Sequence, residues 1–321
     1  MPESLSQKSW HTIKKTFTVR YRNMTKEFKS GFVTVVGLPN VGKSTLINRA
    51  VGQKVAIISQ KPQTTRQKIL GIRTTDNTQI IFVDTPGIHT PRTKLGEYMV
   101  SAANESVRDA DIAVFVTAAG RDVTDKEREI VENIKNEGIP AILVINKVDL
   151  VAKDTIPEKI VAFNELMDFA ATVPLSAKTG NGVKFLIDEI EKLLPEGPEF
   201  YDGDTVTDVN ERVMAAEIIR EKMLNLLDKE IPHGTAVEVI DFKEEPGIVN
   251  IQATIYCEKD SHKGIIIGKK GDMLKRIGAR ARVDIEEMVE KKVFLQLWVK
   301  VKDDWRNNNY LMKSFGYDSQ E

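Results

Sequence analysis

Short apolar runs alternate with amphipathic stretches from residue 31 to about residue 193. The runs have the length of buried strands, and the stretches between them have helical periodicity. Strands are predicted at 32–36, 68–73, 79–83, 112–116, 141–145 and 172–175, and helices at 43–51, 98–107, 125–136, 157–169 and 183–193. This alternation is typical of an α/β domain with a mostly parallel sheet, in which functional residues lie in loops at the carboxyl ends of the strands.

The pattern changes after residues 194–204, which are rich in proline, glycine and acidic residues, as interdomain linkers are. Beyond them we predict a helix at 210–227, strands at 236–242 and 249–257, a helix from 272 to about 291, and a strand at 293–301. The predicted division is a first domain at 24–195, a linker at 196–206 and a smaller α+β domain at 207–321. Trp298 alternates within the last strand and is expected to be a core residue.

The stretch from Gly37 to Thr45 contains two glycines five positions apart, followed by lysine and serine. It matches the phosphate-binding loop (P-loop) pattern and lies between a predicted strand and a predicted helix, which is the context that this pattern requires. Backbone N–H groups and the helix dipole favour an anion at such a place. We expect Lys43 to contact the outer phosphates of a nucleotide and Ser44 to bind Mg²⁺. The nucleotide contacts predicted in this loop are Asn40, Val41, Gly42, Lys43, Ser44 and Thr45.

Two later segments are expected to respond to a γ-phosphate. A threonine between Gln60 and Arg66, either Thr64 or Thr65, would complete the Mg²⁺ shell only when that phosphate is present. Asp84 directly follows a predicted strand and can hold Mg²⁺ through water, and the amide of Gly87 can meet the γ-phosphate. The metal ligands predicted from both segments and the P-loop are Ser44, Thr65 and Asp84, although the residue pattern alone does not choose between the two threonines.

Two more loops predict the base. Asp149, in the sequence Asn146-Lys147-Val148-Asp149 after a predicted strand, can accept hydrogen bonds from the N1–H and exocyclic amine of guanine. Adenine offers no such pair of donors, so it would leave a buried carboxylate facing a lone pair. Lys147 can lie along the base, Asn146 can brace the neighbouring loops, and the N–H of Ala177 can bind guanine O6. The predicted contacts from these loops are Asn146, Lys147, Asp149, Ser176, Ala177 and Lys178.

In the second domain, Ile266-Ile267-Gly268-Lys269-Lys270-Gly271 lies between two helical segments and matches the Gly-x-x-Gly loop of a KH domain. Eight basic residues against two acidic ones between 259 and 282 give a local charge of +6. Such a patch suits nucleic-acid binding, and the element order suits the type II KH topology. The predicted RNA contacts are Lys263, Gly268, Lys269, Lys270, Gly271, Lys275 and Arg276.

The composition of the 321 residues narrows the interpretation further. A formal net charge of −1 excludes a global nucleic-acid footprint, so any such site must be a local patch. The single cysteine, Cys257, excludes an internal disulfide and suits a reducing compartment. Residues 1–23 are basic without a continuous apolar segment, which excludes a secretory signal. We expect these residues to be a disordered or non-native extension, with Met24 as an alternative start and a transit peptide as the rival interpretation.

From about Met24 to Asp318 the chain resembles the Era family of bacterial ribosome-assembly GTPases, through the P-loop residues, Gln63-Thr64-Thr65-Arg66, Asp84 to His89 and the C-terminal domain. The resemblance implies a P-loop GTPase domain followed by a type II KH domain, with GTP or GDP and Mg²⁺ as ligands. It also implies that Asn40, with Thr64 as a second candidate, helps to bind K⁺, and it favours Thr65 as the Mg²⁺ ligand. Catalysis would then rest on Lys43, Thr65, Gly87 and Asn40.

Ile88 stands where Ras-type GTPases have the glutamine that orients water, so intrinsic hydrolysis should be slow and K⁺-stimulated. We expect His89 to be a loop residue rather than a general base. The resemblance further implies a monomer that binds 16S ribosomal RNA near its 3′ end and acts in small-subunit assembly and maturation. It implies a cytoplasmic protein with peripheral association with the inner face of the membrane. Two alternatives remain: a signalling or trafficking GTPase with a protein-binding second domain, and an RNA-binding protein with a vestigial GTPase domain.

Overall fold

The computed structural model describes residues 28–317, so the predictions made for residues 1–23 fall outside the described residues. The strands of the first domain are β1 (Lys29–Val36), β2 (Ile69–Thr74), β3 (Thr78–Asp84), β4 (Ile112–Ala118), β5 (Ala141–Asn146) and β6 (Ala171–Pro174). Its helices are α1 (Lys43–Val51), α2 (Lys94–Arg108), α3 (Asp125–Glu137), α4 (Ile156–Asn164) and α5 (Val183–Leu193). Every strand and helix predicted for this domain is therefore present.

The strands of this domain form one sheet in the order β2-β3-β1-β4-β5-β6. All neighbours pair in parallel except β2, which runs antiparallel to β3. Helices α1 and α5 cover one face, and α2, α3 and α4 cover the other. Because both faces are covered, β3, β4 and β5 are buried along their whole length, which explains their near-continuous apolar sequences.

Helix α4 is shorter than the prediction of 157–169. The helix ends at Asn164, and the N–H of Leu166 closes a tight turn by donating to the carbonyl of Phe163 (3.0 Å). Leu166, Met167 and Phe169 still pack against the core from this irregular segment. Apolar residues in a packed loop therefore continued the helical pattern beyond the true end of the helix.

The second domain contains α6 (Glu211–Leu226), β7 (Thr235–Glu245), β8 (Ile248–Cys257), α7 (Asp260–Ile267), α8 (Asp272–Val289), β9 (Lys292–Val301) and α9 (Asn309–Ser314). Its sheet has the order β7-β8-β9, with β7 and β8 as an antiparallel hairpin and β9 parallel to β8. Helices α6 and α8 cover one face of this sheet. This is the predicted type II KH arrangement. None of the helices in residues 28–317 is long and apolar enough to cross a membrane.

The prediction that Trp298 is a core residue is wrong, because its side chain is 44% exposed. Strand β9 points Val293 and Val299 toward the helices and places Phe294 and Trp298 on the other face. Helices cover only one face of this sheet along most of β9. The alternation in the sequence therefore indicated the correct two-residue period of the strand but did not show that Trp298 lies on the uncovered face.

The predicted linker lies along the first domain rather than apart from it. The Oγ of Ser30 donates to the carbonyl of Pro198 (2.6 Å), and the Nε2 of Gln79 donates to the carbonyl of Tyr201 (2.8 Å). The ring of Phe200 packs on that of Phe32 with centroids 5.3 Å apart. These contacts fix the path by which the chain enters the second domain.

A cluster of buried side chains also joins the two domains through the C-terminal segment. Trp305, Met312 and Tyr317 pack against Leu95 and Met99 of α2. The sequence pattern did not predict α9, which is only six residues long. The cluster closes the end of the KH sheet against the first domain.

Candidate nucleotide site and nucleic-acid interface

The P-loop connects β1 to α1 and needs glycine at both ends. A Cβ at Gly37 would lie 2.2 Å from the carbonyl oxygen of Val116, and a Cβ at Gly42 would lie 2.3 Å from the Nδ2 of Asn146. Both glycines also have positive φ angles, of 150° and 101°. The loop therefore lies between β4 and the last residue of β5, and the backbone curls over the start of α1.

Lys43 is buried inside this curl. Its Nζ donates to the carbonyls of Gly37 (3.1 Å) and Leu38 (3.2 Å). Burial lowers the pKa of Lys43 to about 8, and the charge of Asp84 opposes that change. Carbonyl oxygens compensate a buried ammonium only in part, and an anion at the start of α1 would compensate its charge more fully. This is the property expected of a phosphate site.

Three oxygen-bearing side chains converge beside the P-loop. The Oγ of Ser44 lies 2.8 Å from the Oδ2 of Asp84, the Oγ1 of Thr65 lies 3.0 Å from the same atom, and the two hydroxyls are 3.0 Å apart. The other oxygen of Asp84, Oδ1, is buried and lacks a hydrogen-bond partner among the described residues. Burial raises the pKa of Asp84, while Lys43 opposes the shift. A hard cation prefers this set of oxygen ligands, so the residues fit Mg²⁺.

The two threonines of the segment point in different directions. The hydroxyl of Thr65 joins Ser44 and Asp84, whereas the hydroxyl of Thr64 donates to the carbonyl of Lys61 (2.7 Å). Both residues line the same cleft as Asn40 and Gly87. The geometry thus distinguishes the two side chains, a distinction that the residue pattern had left open.

Gly87 and His89 connect the cleft to the segment after β3. A Cβ at Gly87 would lie 2.8 Å from the Cα of Pro39, so this glycine packs directly on the P-loop. The Nδ1 of His89 lies 2.9 Å from the carbonyl of Gly87, and its Nε2 lies 3.2 Å from the Nε2 of Gln63. One neutral tautomer satisfies both contacts, with Nδ1 donating and Nε2 accepting. His89 therefore joins the two segments that were expected to sense the γ-phosphate.

The loop after β5 is braced by Asn146. Its Nδ2 donates to the carbonyl of Val41 (2.8 Å), and its Oδ1 accepts from the N–H groups of Lys147 (2.7 Å) and Ala177 (3.0 Å). One side chain thereby holds the P-loop and both loops predicted to contact the base. The N–H of Ala177, predicted to bind guanine O6, donates to Asn146 in this structure.

Lys147 and Asp149 lie in the loop after β5, where the base of a nucleotide is predicted to bind. Lys147 has a φ of 64°, and its Nζ donates to the carbonyl of Asn40 (2.6 Å). Burial and the neighbouring charge of Arg121 lower the pKa of Lys147, and Asp149 opposes them. Asp149 is exposed in the short helical turn Val148–Leu150, so its carboxylate is accessible to a ligand.

The residue pattern offered no reason to assign a role to Arg49, which braces the loop after β6, at residues 176–178. Its Nη2 donates to the carbonyl of Lys178 (2.8 Å), and its Nε lies 3.4 Å from that of Ala177. The Oγ of Ser176 accepts from the N–H of Thr179 (3.2 Å). Arg49 belongs to α1, directly after the P-loop, so one helix positions both the phosphate end and the base end of the site. Its position in an amphipathic helix gave no sign of this contact.

The KH loop forms a tight turn between α7 and α8. Gly268, Lys270 and Gly271 have φ angles of 75°, 54° and 83°. A Cβ at Gly268 would lie 2.7 Å from the Cβ of Met273, so glycine is required there. Lys269 and Lys270 are exposed at the tip of the turn.

The rest of the basic patch surrounds this turn. Lys275 and Arg276 are exposed in the first turns of α8, and Lys263 lies half-buried on α7. Next to them, Ile265 is 50% exposed and offers an apolar surface. The residues predicted to contact RNA therefore lie in this turn and on the two helices that flank it.

Two protein-family models match the chain, one in each domain. Residues 32–147 match the family described as 50S ribosome-binding GTPase, and residues 230–306 match the KH domain. The two matches lie on either side of the linker predicted at 196–206.

Curated relatives match nearly the whole length. GTPase Era from Ruminiclostridium cellulolyticum is 52% identical over 295 residues, which are 92% of this chain and 99% of the relative. GTPase Era from Clostridium kluyveri is 50% identical over 290 residues, covering 90% of this chain and 99% of that protein.

Two solved structures share the arrangement. A variant of Era from Aquifex aeolicus bound to GDP and AlF4⁻ aligns with a TM-score of 0.88 at 40% identity, covering 91% of this chain and all of that chain. A structure of Era in complex with MgGDPNP and nucleotides 1506–1542 of 16S ribosomal RNA aligns with a TM-score of 0.87, at the same identity and coverage.

Proposed function

This chain belongs to the Era family of GTPases, and we propose that it couples GTP hydrolysis to binding of 16S ribosomal RNA near the 3′ end. We further propose that it acts in assembly and maturation of the small ribosomal subunit. The observation that carries the proposal is the combination, in one chain, of a guanine-nucleotide site with an exposed Gly-x-x-Gly turn inside a basic patch.

The residues of the phosphate end have separate tasks in this proposal. The backbone N–H groups from Gly42 to Thr45 bind phosphate oxygens, and Lys43 neutralises their charge. Ser44, Thr65 and Asp84 hold Mg²⁺, which supplies Lewis-acid stabilisation of the phosphate charge when it is bound. The Gly87 amide contacts the γ-phosphate. The apolar side chain of Ile88 packs against the core, which agrees with slow intrinsic hydrolysis.

Asn40 is the proposed K⁺ ligand, with Thr64 as the second candidate. The Nδ2 of Asn40 donates to the carbonyl of Gln60 (2.7 Å), so its side-chain oxygen is the ligand atom that we assign to the cation. Asn40 also has a φ of 63°, which brings its backbone carbonyl to the Nζ of Lys147. A cation at this position would lie beside the phosphates, where positive charge stabilises the transition state.

Asp149 selects guanine over adenine in this proposal by accepting from N1–H and the exocyclic amine, while Lys147 covers the base. The loop from 176 to 178 completes the base end, with Ala177 as the proposed O6 donor. Support comes from the exposed carboxylate of Asp149 and from the bracing of both loops by Asn146.

The RNA interface and the GTPase site are proposed to be coupled. GTP would order the segments 60–66 and 84–94 and thereby bias the KH domain between an RNA-accessible and an occluded arrangement, which hydrolysis would reset. Equal RNA affinity in the GDP and GTP-analogue states would contradict this coupling. We propose that the protein works as a monomer in the cytoplasm, with peripheral association with the inner face of the membrane, following the family resemblance.

The experiment that tests the function is GTP turnover in K⁺ and in Na⁺ buffers, with and without a single-stranded RNA carrying the 3′ end of 16S ribosomal RNA. We expect turnover that depends on K⁺ and rises with the RNA. Equal turnover in both salts would contradict the Asn40 cation site. No effect of RNA on turnover would contradict the coupling, and no RNA binding would contradict the role of the KH domain.

A charge-reversal pair tests the interface itself. Lys269→Asp with Lys270→Asp is expected to weaken RNA binding at least about tenfold and to flatten its salt dependence, because two phosphate contacts are lost. The matched control is Lys291→Asp with Lys292→Asp, which changes an adjacent exposed lysine pair at the other end of α8. A similar loss of RNA affinity in both variants would show that only the overall charge matters.

A further inference from the structure

The segment that contains Thr65 lies along the KH domain as well as along the nucleotide site. We call residues 54–66 the switch segment. The Nζ of Lys54 lies 2.8 Å from the Oε2 of Glu221, and the N–H of Ile58 donates to the Oε1 of the same residue (2.8 Å). Lys61 donates to the carbonyl of Leu227, at the end of α6. The switch segment therefore packs along helix α6 of the second domain.

Arg220 of α6 holds the backbone just before Thr65. Its side chain is 1% exposed, and its Nη1 and Nη2 donate to the carbonyls of Gln63 and Thr64. Glu217 orients the guanidinium by accepting from its Nε (2.8 Å). The carbonyl of Thr64 and the N–H of Thr65 belong to one planar peptide unit, so a contact with that carbonyl fixes the orientation in which the chain enters Thr65.

Arg66 holds the backbone just after Thr65. Its guanidinium is fully buried in the KH domain, where it donates to the carbonyls of Thr235 (2.6 Å) and His233 (2.8 Å). It also lies 5.8 Å from the ring centroid of Trp305. Thr65 is therefore bracketed by two arginine contacts with the KH side, while its hydroxyl points the other way, toward Ser44 and Asp84.

From this geometry we propose that Arg220, a residue of the RNA-binding domain, is a positioning residue for GTP hydrolysis. It holds the peptide before Thr65 so that the hydroxyl stays in the geometry of a Mg²⁺ ligand. The inference rests on the assignment of Thr65 as that ligand in the proposed function. Its consequence is specific: the GTPase site is complete only while α6 lies against the switch segment, and a displacement of the KH domain withdraws the support for Thr65.

The test measures kcat for GTP and the Mg²⁺ concentration that gives half of the maximal rate. For Arg220→Ala we expect kcat to fall about tenfold to a hundredfold, as small misplacements of a reacting group do, and the half-saturating Mg²⁺ concentration to rise. GDP affinity should stay within about twofold, because Thr65 is expected to contact the metal only in the GTP state. Arg220→Lys should give an intermediate kcat, since an ammonium can donate to the carbonyl of Thr64 but lacks the planar fork.

Arg212→Ala is the matched control. Arg212 lies on the same helix and also donates to backbone carbonyls, but those belong to Val239 and Ile240 of its own domain. This variant should keep the wild-type kcat and Mg²⁺ dependence. An Arg220→Ala protein with kcat and Mg²⁺ dependence within about twofold of wild type would overturn the inference, and so would a loss shared equally by Arg212→Ala.

A double-mutant cycle with Thr65→Ala separates this inference from the proposed function. If Thr65→Ala leaves kcat unchanged, the assignment of Thr65 fails, and the inference fails with it. If Thr65→Ala lowers kcat and Arg220→Ala lowers it by the same factor in both backgrounds, the inference fails alone. The expected result is that Arg220→Ala has little further effect once Thr65 is lost. Should the alanine variant not fold, the cycle is decided with Arg220→Lys.

Discussion

Ser44 of the P-loop and Thr65 of the switch segment both contact the carboxylate of Asp84, but their two segments are held in place by different parts of the molecule. The P-loop is enclosed within the GTPase domain, where Gly37 and Gly42 pack against β4 and Asn146. The switch segment is held from both domains: Asn48 of α1 bonds its first residues and Asn40 holds Gln60. Glu221 and Arg220 of α6 and the pocket that receives Arg66 hold it from the second domain. One side of the site is therefore supported entirely within one domain, and the other also across a domain interface.

This difference explains how one site can be both stable and responsive. A loop fixed by close packing within its own domain keeps its shape whether or not a ligand is present. A segment that also relies on a second domain loses part of its support when that domain moves, so its order depends in part on the position of the domain. By linkage, whatever stabilises the switch segment also stabilises the domain contact, and in the proposed function a nucleotide with a γ-phosphate does so.

The largest expected effect lies on the locally supported side. Asp149→Asn should weaken GDP binding about a thousandfold, because the new amide presents a donor to a base edge made of donors. Affinity should return for the xanthine nucleotide XDP, whose carbonyl at C2 can accept from that amide. Competition against a fluorescent guanine nucleotide measures both values. Asp154→Asn, which changes an exposed acid in the next helical turn, should leave both affinities unchanged.

A smaller effect is expected from the P-loop itself. Gly42→Ala adds a Cβ that would lie 2.3 Å from the Nδ2 of Asn146, at a φ of 101°. The loop and Asn146 should shift to relieve the overlap, and a loss of about 2 kcal/mol of binding would lower GDP affinity about thirtyfold, because each 1.4 kcal/mol is about a factor of ten. The Kd for GDP checks this expectation, and an unchanged Kd would mean that the P-loop is not held by close packing.

Gly52→Ala separates strain from steric overlap. Gly52 ends the same helix with a φ of 87°, but nothing lies within 4 Å of an added Cβ. This control should lower stability by about 1 kcal/mol and leave GDP affinity unchanged. A loss of GDP affinity in both variants would trace the effect to helix α1 in general rather than to the contact with Asn146.

The same contrast separates what could be predicted from the sequence and what could not. Apart from α9 and the end of α4, the elements of both domains follow from local periodicity. The P-loop, Asp84 and the base residues converge because each follows the end of a strand in one sheet. Arg66 stood in a recognised motif without an assigned role, and Arg220 looked like one polar position on an amphipathic helix. Their partners are backbone carbonyls distant in sequence, which leave no trace in residue type or spacing. Trp298 was misplaced for a related reason, because periodicity does not say which face of a sheet is covered.

The smallest expected effect lies on the side supported across the interface. Glu221→Gln removes the charge that faces Lys54 and weakens the contact with the N–H of Ile58. The free energy needed to open the switch segment should fall by about 1 kcal/mol, which increases the open population about fivefold. Amide hydrogen exchange of peptides covering residues 54–66, compared between wild type and variant at one pH, measures it. Glu211→Gln, an exposed acid at the start of the same helix, is the control.

The pH dependence of the difference in hydrogen exchange between wild type and Glu221→Gln tests whether the ionised carboxylate causes it. Burial alone would raise the pKa of Glu221, but the N–H of Ile58 and the charges of Lys222 and Lys54 outweigh burial and hold the pKa below its usual 4.5. A carboxylate with a lowered pKa in the folded state contributes stability above its unfolded pKa and loses it as the pH falls through the folded value. The difference between Glu221→Gln and wild type should therefore be full at pH 7, begin to decrease near the unfolded pKa of 4.5, and be lost as the pH falls through the lower pKa of the folded state. Equal exchange at pH 7 would mean that α6 does not hold the switch segment, and the contrast between the two sides of the site would then be lost.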